Sequence, residues 1–363
     1  MSKKKLKEIK KKTEDVVKKT NQKIDELGSK SNMLYGKLEE IQLQFDAIRN
    51  APSEKRIRYE KLKKIRLEWK QQVDKIEEKF NEITMKNVGG GAAGVGAGVA
   101  VAALGPSAAM GIATTFGVAS TGTAISALSG AAATNAALAW LGGGTLALGG
   151  GGMAAGNALL ALAGPLGWTI AGIAIIGSGL FLWKANDEKE RLEKIFTLIG
   201  ERDLDSYTQA IAELNGRIER IEEESVLLDN AIREIQTFGT DYNRMSEKQQ
   251  YELGSYVNQM EASTNLLINP IQGLQQKYTE EEFERFTSRM TGEASAYYRK
   301  YKDVLIVLAN QFYKISLDET DKLLLVKNFK NNKEFLATLN MEKNDFNIEI
   351  MHAVEKCLVY NAS

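Results

Sequence analysis

Apolar residues recur through the start of the chain at helical spacing. Leu6, Ile9, Val16, Ile24, Leu27, Leu34, Leu38, Ile41, Phe45 and Ile48 step by threes and fours, and Thr13, Thr20 and Ser31 fill gaps in the row. This spacing predicts a single amphipathic helix from about Leu6 to Arg49, with a stutter between Thr20 and Ile24. At about 1.5 Å per residue such a helix reaches roughly 65 Å. The run Asn50-Ala51-Pro52-Ser53 ends it, because proline cannot continue the hydrogen-bond ladder. A second helix follows, with Leu62, Ile65, Trp69, Val73, Ile76, Phe80 and Ile83 on one face.

The pattern stops near Asn87 and returns beyond Trp183. Tyr207, Ile211, Leu214, Ile218, Ile221, Ser225, Leu228, Ile232 and Ile235 keep a strict alternation of fours and threes over about four heptads. Phe238-Gly239 marks a helix C-terminus. The next helix is expected from Asp241 to Ile268, stopped by Asn269-Pro270. Thr279 with Glu282 has the spacing of a capping box. The runs Val304–Leu308 and Leu323–Val326 complete a helical C-terminal region. No stretch alternates with period two for long. The fold class predicted is all-α: an elongated bundle of long coiled-coil helices carrying a central apolar Gly/Ala-rich helical hairpin as an insert.

Composition changes the picture for that insert. From Asn87 to Trp183 there is no Asp, Glu, Lys, Arg or His, so all 94 Asp, Glu, Lys and Arg residues lie outside it, while 24 of the 32 glycines lie inside. Four regions result: a basic arm (1–87), an uncharged segment (88–183), an acidic returning arm (184–268) and a C-terminal region (269–363). The first arm holds 24 basic and 15 acidic residues, whereas residues 184–363 hold 23 basic and 32 acidic. The arms are electrostatically complementary, and antiparallel pairing would use this, weakly once salt screens it.

Within the uncharged segment, Gly105-Pro106 separates a Gly/Ala/Val stretch (Val88–Leu104) from a small-residue helix expected over Ser107–Leu141. Gly142–Gly144 and Gly149–Gly152 bracket Thr145–Leu148, which is either the tip of a hairpin or a short β-tongue. The run from Ala158 to Trp183, long enough for a hydrocarbon core of roughly 30 Å, holds Gly172 and Gly179. Small residues recur every fourth position at Gly90, Gly94 and Gly98, then at Gly122, Ser126, Gly130 and Thr134. Such rows let helix backbones approach closely. In water each glycine costs about 1 kcal/mol against alanine in a helix interior. The segment therefore suits close packing in lipid or in a protein core. Trp140, Trp168 and Trp183, the last followed by Lys184, sit near the ends of candidate helices, as interfacial anchors do. The bland alternative makes the same helices the core of a compact bundle and the tryptophans core fillers.

Enzyme chemistry finds little footing. One cysteine, Cys357, and one histidine, His352, exclude a disulfide framework, a cysteine-rich zinc site and any multi-histidine metal site. These two residues do not share a helix face. Gly142-x-Gly144-x-x-Ala147 and Gly150-x-Gly152-x-x-Ala155 match a loose dinucleotide fingerprint, but the flanks are helical and the next acid is Asp187. Glu222–Glu224 and Glu280–Glu282 read as solvated faces and a capping turn. No catalytic residue, cofactor or metal is predicted. The lysines of the N-terminus suit anionic lipid or nucleic acid no better than a solvated terminus, and no nucleic-acid partner is expected. Because no apolar core of a signal peptide follows that basic start, the expectation is a protein cytoplasmic as synthesised, then membrane-associated or released by a non-Sec route.

A long helical arm, the Gly-rich insert of Val88–Trp183 and a returning helical arm together resemble the α-helical pore-forming toxins. These are the cytolysin A type and the tripartite haemolysin and enterotoxin components of bacilli. The resemblance is architectural and covers roughly residues 1–270; the insert is longer than the usual toxin head. The run Ser120–Ile125, with Leu128–Asn135 and Gly142–Gly144, looks like a glycine-zipper module of uncharacterised bacterial proteins. The resemblance implies a membrane-perturbing protein: a soluble form converts to an oligomer inserted in a lipid membrane, with or without partner proteins. Two other readings share these features: a membrane-anchored coiled-coil scaffold or effector in a defence or membrane-remodelling system, and a translocator or tape-measure component of an injection machine.

Overall fold

The computed structural model describes residues 2–89, 107–117, 186–275, 277–331, 336 and 341–362. Among them the chain is all-α, with ten α-helices, two short 3₁₀ turns and no strand. Helix α1 spans Ser2–Asp46 and α2 spans Ser53–Gly89. A short helix α3 (Ala108–Phe116) precedes the fifty-residue α4 (Asn186–Ile235) and α5 (Glu247–Ile268). The C-terminal region contributes α6 (Glu280–Thr287), α7 (Gly292–Lys300), α8 (Lys302–Phe312), α9 (Glu319–Phe329) and α10 (Ile348–Ala362).

The heptad seam organises the long bundle. Every seam residue predicted on α4 from Tyr207 to Ile235 is buried, Ser225 included; its hydroxyl returns a hydrogen bond of 2.7 Å to the Ile221 carbonyl. On α1, Thr13, Thr20 and Ser31 are buried in the row with Ile24, Leu27, Leu34, Leu38 and Ile41. Small polar residues are tolerated there because a helix carbonyl four residues back can take the hydroxyl proton, as Val16 does for Thr20 at 2.9 Å.

Ring contacts and ion pairs give the directions. Tyr35 lies on Trp69 and Phe45 on Tyr59, with centroids 5.6 and 5.4 Å apart, so α1 and α2 form an antiparallel hairpin. Ser263 bonds Glu224 and Phe238 stacks on Tyr256, so α4 and α5 form a second. Between the hairpins, Lys30 pairs with Glu222 at 2.5 Å and Lys37 with Asp229 at 2.6 Å, each partner advancing equally along its helix. The basic and acidic arms thus pair through complementary charges but in parallel, not antiparallel. Helix α2 carries the chain back to the end where α1 began, and α4 starts at that same end, where Ile9 shares a core with Leu192 and Phe196. The two turns meet at the far end, where Arg49 N–H donates to Thr240 and Tyr242 N–H to Arg49, at 2.8 and 3.0 Å.

Two boundaries differ most from the sequence expectation. Helix α5 begins at Glu247 rather than Asp241, because Asp241 caps a single 3₁₀ turn and Ser246 with Gln249 then forms a capping box. The small-residue helix ends at Phe116 rather than Leu141, because Gly117 turns left-handed (φ 64°) and caps it.

The described residues form two hydrophobic cores. The first holds the facing sides of α1, α2, α3, α5 and the C-terminal part of α4. The second is built by α6–α10 around Leu192, Ile195, Phe196 and Ile199 of α4, with Ile9 of α1 at its edge. Helix α4 therefore runs through both, and α1 reaches the second through Ile9. At the passage from one core to the other, Arg202 donates to the carbonyls of Gln311 and Tyr313, at 2.9 and 2.7 Å, closing the C-terminus of α8. Arg191 to Asp321 (2.9 Å) and Lys327 to Glu188 (2.8 Å) tie α9 to the start of α4.

Candidate functional site: an uncharged helix inside a charged bundle

Helix α3 is cut from the uncharged segment, and the bundle surrounds it. Ala108, Ile112, Ala113, Thr114 and Thr115 have no exposed surface, and Phe116 retains 4%. An eleven-residue stretch without a charge is thus core rather than surface, as its composition demands. It runs in the same direction as α1: Gly111 lies against Ile24 and Gly28, and Ser31 receives a hydrogen bond of 3.1 Å from Thr114 Oγ1.

The crossing is set by two glycines. A Cβ on Gly28 would overlap the Ser107 carbonyl oxygen, and one on Gly111 would overlap the Ile24 carbonyl oxygen. Backbone therefore lies on backbone, the approach that rows of small residues permit. Only one partner comes from the uncharged segment; the other sits in the middle of the charged arm.

The far end of α3 meets the end of α5, so two helix C-termini converge. Each brings carbonyls without intrahelical donors and partial negative charge. Arg217 of α4 answers this at α5, donating to the carbonyls of Leu266 at 2.6 Å and Asn269 at 2.8 Å. Burial lowers its pKa, and the Glu213 carboxylate offsets part of that. At α3, the Thr115 carbonyl accepts from Ile271 N–H at 2.8 Å and from the Gln275 side chain at 3.5 Å. Gly117 packs against the Ile268 carbonyl and the ring of Pro270. The segment after α5, residues 269–275, thus lies across the end of α3 as a strap. It is bound to α4 as well: Glu213 accepts from Gln272 N–H at 2.6 Å and Gly273 N–H at 3.3 Å. Gly273 presses so close to α4 that a Cβ there would lie 2.7 Å from the Ala210 nitrogen.

Other groups weighed as chemistry have structural partners. Glu222 pairs with Lys30, Glu224 accepts from Ser263, and Glu282 closes the capping box at Thr279. Glu280 and Glu284 share Lys302. His352 Nε2 lies 3.0 Å from Glu319. Cys357 is buried in the second core, and burial pushes its thiol pKa up to about 12. Among the described residues no cluster of His, Cys, Asp or Glu has the makings of a metal site. A cavity of about 60 Å³ near the turn end, lined in part by Phe45, Tyr59 and Tyr242, has room for roughly two waters.

The residues singled out for membrane insertion and helix packing, Gly90, Gly94, Gly98, Gly122, Ser126, Gly130, Thr134, Gly172 and Gly179, lie outside the described residues. So do the proposed anchors Trp140, Trp168, Trp183 and Lys184. No helix among the described residues is long and apolar enough to cross a membrane. Gly28, Arg217 and Glu213, which position α3, are missing from the sequence reading. A faint signal existed for Gly28: a glycine inside a long helix costs stability, and close approach is one reason to keep it. Gly36 and Gly216 show the weakness of that signal, since an added Cβ at either would meet nothing within 4 Å. Compared with known proteins, the chain matches no family model, no curated protein and no solved structure.

Proposed function

We propose that this chain is a non-enzymatic, membrane-perturbing helical protein of the pore-forming kind. It is stored in a water-soluble form and converts to a lipid-inserted oligomer through the uncharged segment, residues 88–183. The observation that carries the reading is α3: a piece of that segment is held inside a bundle whose own surfaces are charged. Storage of this type makes a bistable element, because the same apolar face is satisfied by protein before release and by lipid after it. Small residues at the rows beginning Gly90 and Gly122 then supply helix–helix contacts in the bilayer, where packing replaces the hydrophobic drive. The architectural likeness to cytolysin A-type toxins and to the bacillus haemolysin and enterotoxin components points the same way.

The test is vesicle flotation and dye release, comparing the full chain with a chain lacking residues 118–183, which keeps α3. The full chain is expected to float with vesicles and empty them, and the shortened one to do neither. Flotation without leakage would replace this reading by a membrane-anchored scaffold. A full chain that stays monodisperse and never enters vesicles of any composition or pH would end it.

A further inference from the structure

The strap of residues 269–275 does two jobs with one stretch of backbone. Its Ile271 N–H and Gln275 side chain both donate to the Thr115 carbonyl of α3, and its Pro270 closes on Gly117. Its other edge is held by α4 through Arg217 and Glu213. Helix α3 itself has nine residues, fewer than a helix needs to persist alone in water. Its N-cap, Ser107, makes no side-chain capping bond, and buried Thr115 Oγ1 finds no partner among the described residues. With no charged side chain, it holds its place through packing, the Thr114–Ser31 bond and the strap. The seam between α1 and α4 is different in kind, with a long row of buried apolar residues and the Lys30–Glu222 and Lys37–Asp229 pairs.

We infer that the strap is the bolt on α3, and that Arg217 and Glu213 are the residues that keep it shut. When their hydrogen bonds are lost the strap lifts, the Thr115 carbonyl loses its donors, and α3 leaves the bundle while α1 and α4 stay paired. The inference rests on the storage reading above for its purpose, but not for its test, which needs no lipid.

Native-state hydrogen exchange of the full chain reads the opening directly, since local openings expose amides that global unfolding also exposes, but more often. In Arg217→Met, which keeps the apolar stem and removes the donors, amides of 112–117 are expected to exchange about 10- to 100-fold faster. Amides of 27–41 and 211–235 are expected to keep their rates. Glu213→Gln is the milder variant, to be read in the same way if Arg217→Met does not fold. A disulfide lock, Ser31→Cys with Thr114→Cys in a Cys357→Ala background, is expected to return α3 to the slow rate when oxidised and free it when reduced. Equal acceleration in α1, α3 and α4, or no acceleration, overturns the bolt. Dye release from anionic vesicles, run on the same variants, separates the two ideas. Exchange that responds without leakage keeps the bolt and removes the pore. Leakage without the exchange response keeps the pore and removes the bolt.

Discussion

Gly28 of α1 and Gly111 of α3 meet backbone to backbone, and a methyl group on either would collide with a carbonyl of the other helix. The crossing joins the charged arm to the uncharged segment. Gly28→Ala or Gly111→Ala is expected to cost about 3 kcal/mol, an overpacking penalty that moving two helix backbones apart cannot relieve cheaply. Gly36→Ala, in the same helix with open space around it, is expected to gain about 0.5–1 kcal/mol. Urea unfolding of the three variants decides it, and a similar loss at all three positions would remove the close crossing.

Asn310 fastens the linker between the two cores. Its side chain accepts from Lys277 N–H at 2.8 Å and Tyr278 N–H at 3.0 Å, and donates to the Tyr278 carbonyl at 2.7 Å. Asn310→Ala leaves these buried groups unmatched, and a loss of about 2–4 kcal/mol is expected. Separate monitoring of the cores, by Trp69 fluorescence for the bundle in a background with Trp140, Trp168 and Trp183 replaced by Phe, and by Cys357 accessibility for the C-terminal region, should show the second core loosening first.

Asp203 sets a pH dependence. It is 1% exposed, and burial raises its pKa from 3.8 to about 6, although Arg202 beside it pulls the other way. A carboxyl with a raised folded-state pKa binds its proton more tightly when folded. Its contribution to stability is thus complete below about pH 4 and disappears as pH rises through about 6. Relative to Asp203→Asn, the wild type is expected to gain on the order of 2–3 kcal/mol between pH 7 and pH 4. Parallel stability curves for the two proteins across that window would show that Asp203 does not titrate there.

Cys357 offers a clean reporter. Its thiol is buried and its pKa is pushed up to about 12, so almost no thiolate exists at neutral pH. Aromatic disulfide reagents are expected to leave it unreacted in the native protein and to modify it fully in denaturant. The native rate should follow opening of the second core. Rapid labelling under native conditions would contradict the burial of Cys357 in the second core.

Much of the architecture was legible because heptads report one kind of neighbour, another helix. The α4 seam from Tyr207 to Ile235 and the capping box at Thr279 and Glu282 needed nothing beyond spacing and side-chain chemistry. The direction of pairing was not legible. Complementary net charge on two arms favours association in either orientation, and only the register of Lys30 with Glu222 and Lys37 with Asp229 reveals the parallel one. The extent of α3 was misjudged for a related reason. Gly117 has the same composition cues as its neighbours, and its left-handed turn is a conformational choice made against Ile268 and Pro270.

By itself, the order of residues determined that the described chain is helical, where its long helices break, and that one long segment carries no charge. Those properties arise from local periodicity and from side-chain solvation, which neighbours in sequence are enough to express. Tertiary structure alone decided that part of this segment lies on Gly28, that Arg217 and Glu213 hold the strap across it, and that α4 serves two cores. Each of these joins residues far apart in the chain, where close approach and convergent hydrogen bonds depend on how complete helices come to rest against one another.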